Sequence, residues 1–242
     1  MGAVAFRKSV FHLHRWIGVL VGVQVALWTA SGLFMALSPI ERVRGTYLVR
    51  GDDLDSLALS EVKLTPAQAV AIAGGTAREV SLKSLHLRPA YQVLQSDGGR
   101  TLVDARDGAV LSPLSQELAR AIAIEKYRGT GPIQDVTWLT KPPIEFRQAA
   151  PVWRVRFADA DQTAVYIDPR TGRINAVRTQ LWRMYDFLWG LHIMDWRQRE
   201  NFNTPWLQIA SGFGLVLVLS GLWMGWTRVL ARGLPARRAR PR

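Results

Sequence analysis

Trp16-Ile17-Gly18-Val19-Leu20-Val21-Gly22-Val23-Gln24-Val25-Ala26-Leu27-Trp28-Thr29-Ala30-Ser31-Gly32-Leu33-Phe34-Met35-Ala36-Leu37 contains no charged residue. A second run, Pro205 to Trp226, is its counterpart near the other end, with only Gln208, Ser211 and Ser220 as polar exceptions. About 20 apolar residues at 1.5 Å rise cover the roughly 30 Å hydrocarbon core of a bilayer. Each run is therefore expected to span a membrane. The segment between them is charged, periodically patterned and of domain size. A signal peptide is the poorer reading of the first run, because its apolar stretch exceeds the usual 7–15 residues and no clear small-x-small cleavage site follows.

Charge sets the expected orientation. The chain carries 31 Lys and Arg against 19 Asp and Glu, a net charge of +12. Every acid falls between Glu41 and Glu200. Arg7, Lys8 and Arg15 flank the first run, and Arg228, Arg232, Arg237, Arg238, Arg240 and Arg242 follow the second. A Lys/Arg excess beside a span marks its cytoplasmic flank. Both termini are thus expected in the cytoplasm of a bacterium, with the middle exported across the inner membrane. The basic surplus at the flanks suits anionic lipid at the Arg-rich tail rather than nucleic acid. Cysteine is absent, which removes disulfides, thiolate nucleophiles, iron–sulfur clusters and covalently attached c-type haem.

The middle contains an internal repeat. Val103-Asp104-Ala105-Arg106-Asp107-Gly108-Ala109-Val110 and Ile167-Asp168-Pro169-Arg170-Thr171-Gly172-Arg173-Ile174 share the pattern [VI]-D-x-R-x-G-x-[VI]. Strand-like alternation precedes each copy, and Gly108 and Gly172 suit turns that need positive φ. Asp104 and Asp168 are read as turn-ordering residues. A helix is predicted upstream of each copy, one opening at Thr65-Pro66 and one at Ser112 or Ser115. The expected fold class is an α+β periplasmic domain of two helix-plus-antiparallel-strand repeats on two transmembrane α-helices.

Leu13-His14-Arg15-Trp16-Ile17-Gly18, running on to Ala30-Ser31-Gly32-Leu33, resembles the opening of PepSY-associated transmembrane proteins. Tyr166-Ile167-Asp168-Pro169-Arg170-Thr171-Gly172 resembles the strand-turn of a PepSY domain. Leu191-His192, then Pro205-Trp206-Leu207-Gln208 and Ser220-Gly221-Leu222, resembles that family's return to the membrane. The resemblance implies an inner-membrane protein with a periplasmic PepSY region, often linked to iron uptake. Longer relatives are implicated in ferric-siderophore reduction with membrane b haem, but they have four spans where this chain has two. The implied organisation is a cytoplasmic N-terminus over 1–15, a span over 16–38, and a periplasmic domain over 39–178 with repeats at about 60–111 and 112–178. An interfacial aromatic helix and elbow over 179–204, a span over 205–227 and a cytoplasmic tail over 228–242 complete it.

Four histidines, His12, His14, His86 and His192, bound the cofactor chemistry. Bis-histidine haem needs two imidazoles on opposite sides of one iron. His14 and His192 are candidate ligands to haem iron, as the resemblance implies. They lie at opposite membrane faces, so one copy cannot supply both to one haem b. The second ligand must come from a homodimer partner or another membrane subunit. His12 points to another helix face than His14, and His86 reads as a strand surface residue. Trp182, Trp189 and Trp196 recur at seven and predict an interfacial helix, with Thr204-Pro205 opening the second span. Gly18, Gly22, Ala26 and Ala30, and Ala210, Gly214, Gly221 and Gly225, predict close helix packing. No nucleotide loop, HExxH, GxSxG or zinc cluster appears, so whether the chain is itself an enzyme stays open. Two functions follow: a haem-associated redox component for iron handling, or a non-enzymatic tethered PepSY module binding a periplasmic protein or peptide.

Overall fold

The computed structural model describes residues 3–51, 56–148 and 150–233. The chain forms two compact units, Met1–Leu37 with Asp186–Arg242, and Ser38–Tyr185. Most of the expected Arg-rich tail, from residue 234 onward, lies outside the described residues.

Helix α1 spans Ala3–Leu37, longer than the apolar run that nucleates it. Beyond it, the short α2 (Ile40–Arg44) ends on Gly45 at φ +68. A Cβ at Gly45 would stand 3.1 Å from Val177 Cγ1, so this turn packs against the strand that carries Val177.

The helix-then-strands order occurs twice in the middle unit. Helix α3 (Pro66–Ile72) precedes a sheet of β1 (Glu79–Leu85), β2 (Arg88–Leu94) and β3 (Arg100–Asp104). Thr65 caps α3 in a full capping box with Gln68, satisfying two backbone donors reciprocally. Helix α4 (Gln116–Lys126), capped by Ser115, precedes β4 (Ile133–Leu139), β5 (Val152–Phe157), β6 (Ala164–Ile167) and β7 (Ile174–Arg178). Both sheets are antiparallel, ordered β1-β2-β3 and β4-β5-β6-β7.

Period-two alternation assigns each strand's side chains to two layers. Ala90 and Leu102 of the first sheet share one core with Val155, Phe157, Val165, Ile167 and Val177 of the second. Ile122 and Ala123 of α4 complete that core. Tyr91, Val93 and Val103, on the other face, pack under Ala69 and Ala73. The far face of the second sheet buries Val152, Ala164, Tyr166 and Ala176 with Phe146.

The two D-x-R-x-G turns are built alike. In the first, Asp104 Oδ1 accepts from Arg106 N at 2.9 Å and Gly108 N donates to Asp104 O at 3.0 Å. In the second, Asp168 Oδ1 accepts from Arg170 N at 2.8 Å and Gly172 N donates to Asp168 O at 2.8 Å. Both glycines have positive φ, +81 and +70. The aspartates thus order turns, as their spacing suggests.

Helix α5 spans Gln180–His192 and α6 spans Pro205–Gly233. Leu207 N donates to Thr204 Oγ1 at 3.3 Å, so Thr204 caps α6 with Pro205 at its first position. Helices α1 and α6 are long and apolar enough to cross a membrane. Their large apolar side chains face outward: Leu20 is 71% exposed, Trp16 68% and Leu222 66%. A helix in a soluble core would bury such residues, so the solvent for this surface is lipid.

Candidate functional site

The spacing that puts His14 near the start of the apolar part of α1 also turns it onto α6. Its Nδ1 lies 2.8 Å from Ser220 Oγ. The Ser220 hydroxyl donates to Leu217 O of its own helix at 3.0 Å. With its one hydrogen on Leu217 O, Ser220 Oγ would accept, and the neutral imidazole that fits carries its proton on Nδ1 and leaves Nε2 as the acceptor nitrogen.

His192 is held in the same way at the other end. Its Nδ1 lies 2.9 Å from Ser31 Oγ, whose hydroxyl donates to Leu27 O at 2.7 Å. The same neutral tautomer, with its proton on Nδ1, fits here. Trp28 Nε1 donates to His192 O at 2.7 Å and fixes the backbone there. Both imidazoles are thus anchored through Nδ1 by a serine hydroxyl, the arrangement in which Nε2 is the nitrogen available to a metal.

Glycine makes room beside each ring. A Cβ at Gly221 would stand 3.1 Å from His14 Cε1, and one at Gly32 would stand 3.5 Å from His192 Cε1. The small-residue stripes do not act uniformly. Gly18 faces Leu217 Cδ1 at 3.4 Å and Gly214 faces Trp28 at 3.9 Å, whereas Gly22 and Gly225 meet nothing within 4 Å. The close approach of α1 to α6 therefore runs through Gly18, Gly214 and Gly221, and the every-fourth-residue stripe of α1 turns partly away from its neighbour.

His14 and Ser31 are seventeen residues apart on one helix, about 25 Å at 1.5 Å per residue. The imidazole of His192, bonded to Ser31, is out of reach of any iron bound to His14. His14 borders a cleft of about 590 Å³ whose walls include Phe11, Trp223 and Met224, with Arg7, Lys8 and Arg228 around them. His12 also borders this cleft, although it lies on a different side of α1.

His86 sits in the tight turn between β1 and β2 at φ +49, not in a strand. Its Nδ1 lies 2.8 Å from Glu125 Oε2, a pairing the sequence did not suggest. Helix α5 stops at His192, so Trp196 is off the helical face that Trp182 and Trp189 share. Asp195 causes the stop by accepting backbone N–H bonds from Arg197, Gln198, Glu200 and Asn201 at 3.1–3.3 Å. Bonds from the Asn201 and Glu200 amides hold its carboxyl down at about 2. Arg199 Nη1 donates to the buried Asp186 at 2.6 Å, folding this loop back on α5.

Residues 11–242 match the description PepSY-associated TM region. The chain belongs to this family. No curated protein and no solved structure matches it at a significant level. It is a membrane protein, with two helices among the described residues long and apolar enough to span the bilayer and a middle region of antiparallel sheets. Ser31 and Ser220 are the site residues that the sequence reading missed. A signal lay in the family-like stretches themselves, since each half of the membrane unit carries one Leu-His and one Ser-Gly-Leu, Leu13-His14 with Ser31-Gly32-Leu33 and Leu191-His192 with Ser220-Gly221-Leu222, although Leu-His recurs at Leu85-His86 in the middle region. Each histidine bonds the serine of the other pair.

Proposed function

We propose that this PepSY-associated membrane protein is a haem-associated redox component of the bacterial inner membrane, linked to ferric-siderophore handling. Haem b would be held by His14 or His192 and by a second imidazole from another copy or a partner subunit. One observation carries the reading. Two imidazoles, one near each end of the apolar helix pair, are anchored through Nδ1 to serine hydroxyls, which leaves Nε2 as the nitrogen available to a metal.

The residues around His14 fit such a group. Gly221 leaves its ring face uncrowded, Phe11 and Trp223 offer apolar walls, and Arg7, Lys8 and Arg228 offer cations for acidic substituents. A bound b haem would supply one-electron transfer. The chain's own part is to orient each imidazole, keep its second nitrogen protonated and, through the serine oxygens, raise the basicity of Nε2. The basic flanks support cytoplasmic termini and a periplasmic middle region.

The test is the visible spectrum of protein made with adequate haem supply, alone and with its native membrane partners. Low-spin bands that split on reduction are expected. His14→Ala should remove the haem at the N-terminal end and His192→Ala that at the other end. His86→Ala, which removes the Glu125 contact in the middle region, should leave the spectrum unchanged. Colourless protein in every preparation would defeat this reading and leave the tethered protein- or peptide-binding module.

A further inference from the structure

The far face of the β4–β7 sheet carries more cations than its acids neutralise. Arg154, Arg156, Arg178 and Arg183 gather around Asp135 and Glu145. Asp135 spends its oxygens on Arg156 and Thr137. Glu145 takes Arg183 Nε at 2.7 Å and the Tyr166 hydroxyl at 2.5 Å. Arg178 donates to Glu145 O at 2.6 Å and lies over the Trp182 ring, 4.2 Å from its centre.

Arg154 alone of the four is left over. It sits mid-strand on β5, opposite Thr137 and Tyr166. Its Nε is buried and donates to nothing, and the guanidinium makes no hydrogen bond or ion pair among the described residues. A buried donor without a hydrogen-bond partner is costly, and the guanidinium feels Asp135 and Tyr166 only as neighbouring charges, with no bond to either. Arg154 lines a cleft of about 570 Å³ together with Arg156, Arg183, Gln134 and Gln162. The acids on that lining are engaged already, Glu145 as above and Asp159 by Tyr127 and Thr163.

We propose that this cleft binds a small polycarboxylate, with one carboxylate on the guanidinium of Arg154 and another at the rim. A guanidinium edge matches a carboxylate with two parallel bonds. The volume lies in the range of small-molecule sites and far exceeds what one phosphate group fills. Arg156, Arg183 and the two glutamines spread donors across the cleft, which suits several anionic groups on one molecule. The site is independent of the haem reading, since it uses neither histidine.

The experiment is calorimetric titration of the full chain in detergent at low salt, using citrate, ferric citrate and inorganic phosphate as probes. Citrate should bind wild type, and Arg154→Gln should weaken it about 10- to 100-fold, the range for losing a charge-assisted pair. Arg100→Gln, which lies outside the cleft, should bind as wild type. If Arg154→Gln melts below wild type, Arg154→Lys carries the test. It keeps the charge, loses the two-bond edge, and should bind several-fold more weakly. Tighter binding of ferric citrate would assign the metal chelate as ligand; equal binding would assign the free acid. The proposal is overturned if wild type binds no citrate, if phosphate binds as tightly, or if both Arg154 variants bind like wild type.

Discussion

Gly172→Ala tests whether the duplicated turn is fixed by backbone conformation alone or also by what packs on it. Gly172 has φ +70, and a Cβ there would clash with Leu85 Cδ1 and stand 3.4 Å from Ile122 Cδ1. Both neighbours belong to the core shared by the two sheets. Left-handed backbone costs a residue with a Cβ about 1–2 kcal/mol, and overpacking a filled core adds about 1–3 kcal/mol. The expected loss is about 2–5 kcal/mol. Gly98 separates the two contributions, because it has φ +87 and nothing within 4 Å of a Cβ. Gly98→Ala should lose only the backbone share. Scanning calorimetry of the full chain in detergent reads the difference, at about 2–4 °C per kcal/mol for a unit of this size. Leu85→Ala in the Gly172→Ala background should cost less than Leu85→Ala alone, because the crowded methyl is then gone. Equal losses at Gly98 and Gly172, or strictly additive Leu85 and Gly172 effects, would refute the packing argument.

Gly221→Leu should disrupt pairing of α1 with α6 because its Cβ meets the His14 ring, whereas Gly22→Leu should be tolerated; cysteine crosslinking between the helices ranks the two. Ser220→Ala removes the acceptor that fixes the His14 tautomer and should weaken haem binding about 10- to 100-fold, read by titrating haem into haem-free protein. Burial alone would raise the Glu145 pKa, but bonds from Arg183 and Tyr166 bring it below the ordinary glutamate value. Its folded value being lower, it adds stability above the ordinary value that is lost as pH falls through the folded one. The melting temperature should therefore drop on acidification below about pH 4, and less steeply in Glu145→Gln. A reporter active only in the cytoplasm should work after Arg242, and one active only in the periplasm should work in the 96–99 turn; the reverse pattern would overturn the orientation.

What the sequence made legible was local. Thr65-Pro66, Ser115 and Thr204-Pro205 announce helix starts because a cap needs only the next few residues. The D-x-R-x-G turns are legible because each aspartate bonds backbone two residues on. Membership of the PepSY-associated family was legible from short motifs in the right order. Long-range partners were not. The recurring Leu-His and Ser-Gly-Leu motifs do not say which histidine meets which serine, and nothing near His86 names Glu125. The early end of α5 was missed because four amides converge on Asp195 only once the loop has closed. Arg154 looks in sequence like any polar residue on an alternating strand. Its isolation appears only when the neighbouring arginines are seen to have taken the acids.

The crossed bonds His14–Ser220 and Ser31–His192 have a mechanical consequence. Sliding α1 by a single residue along its partners would shift it 1.5 Å and turn it by about 100°, carrying His14 and Ser31 off their partners together. The helix is keyed at two points far apart, and neither key can slip alone. Carriers that alternate between two faces of a membrane rock one bundle against another, which needs contacts of this kind to open at one end while holding at the other. Here the fastening favours a strut of fixed length. Such a strut suits the electron-passing role proposed above, in which charge moves while the protein's own atoms stay in place.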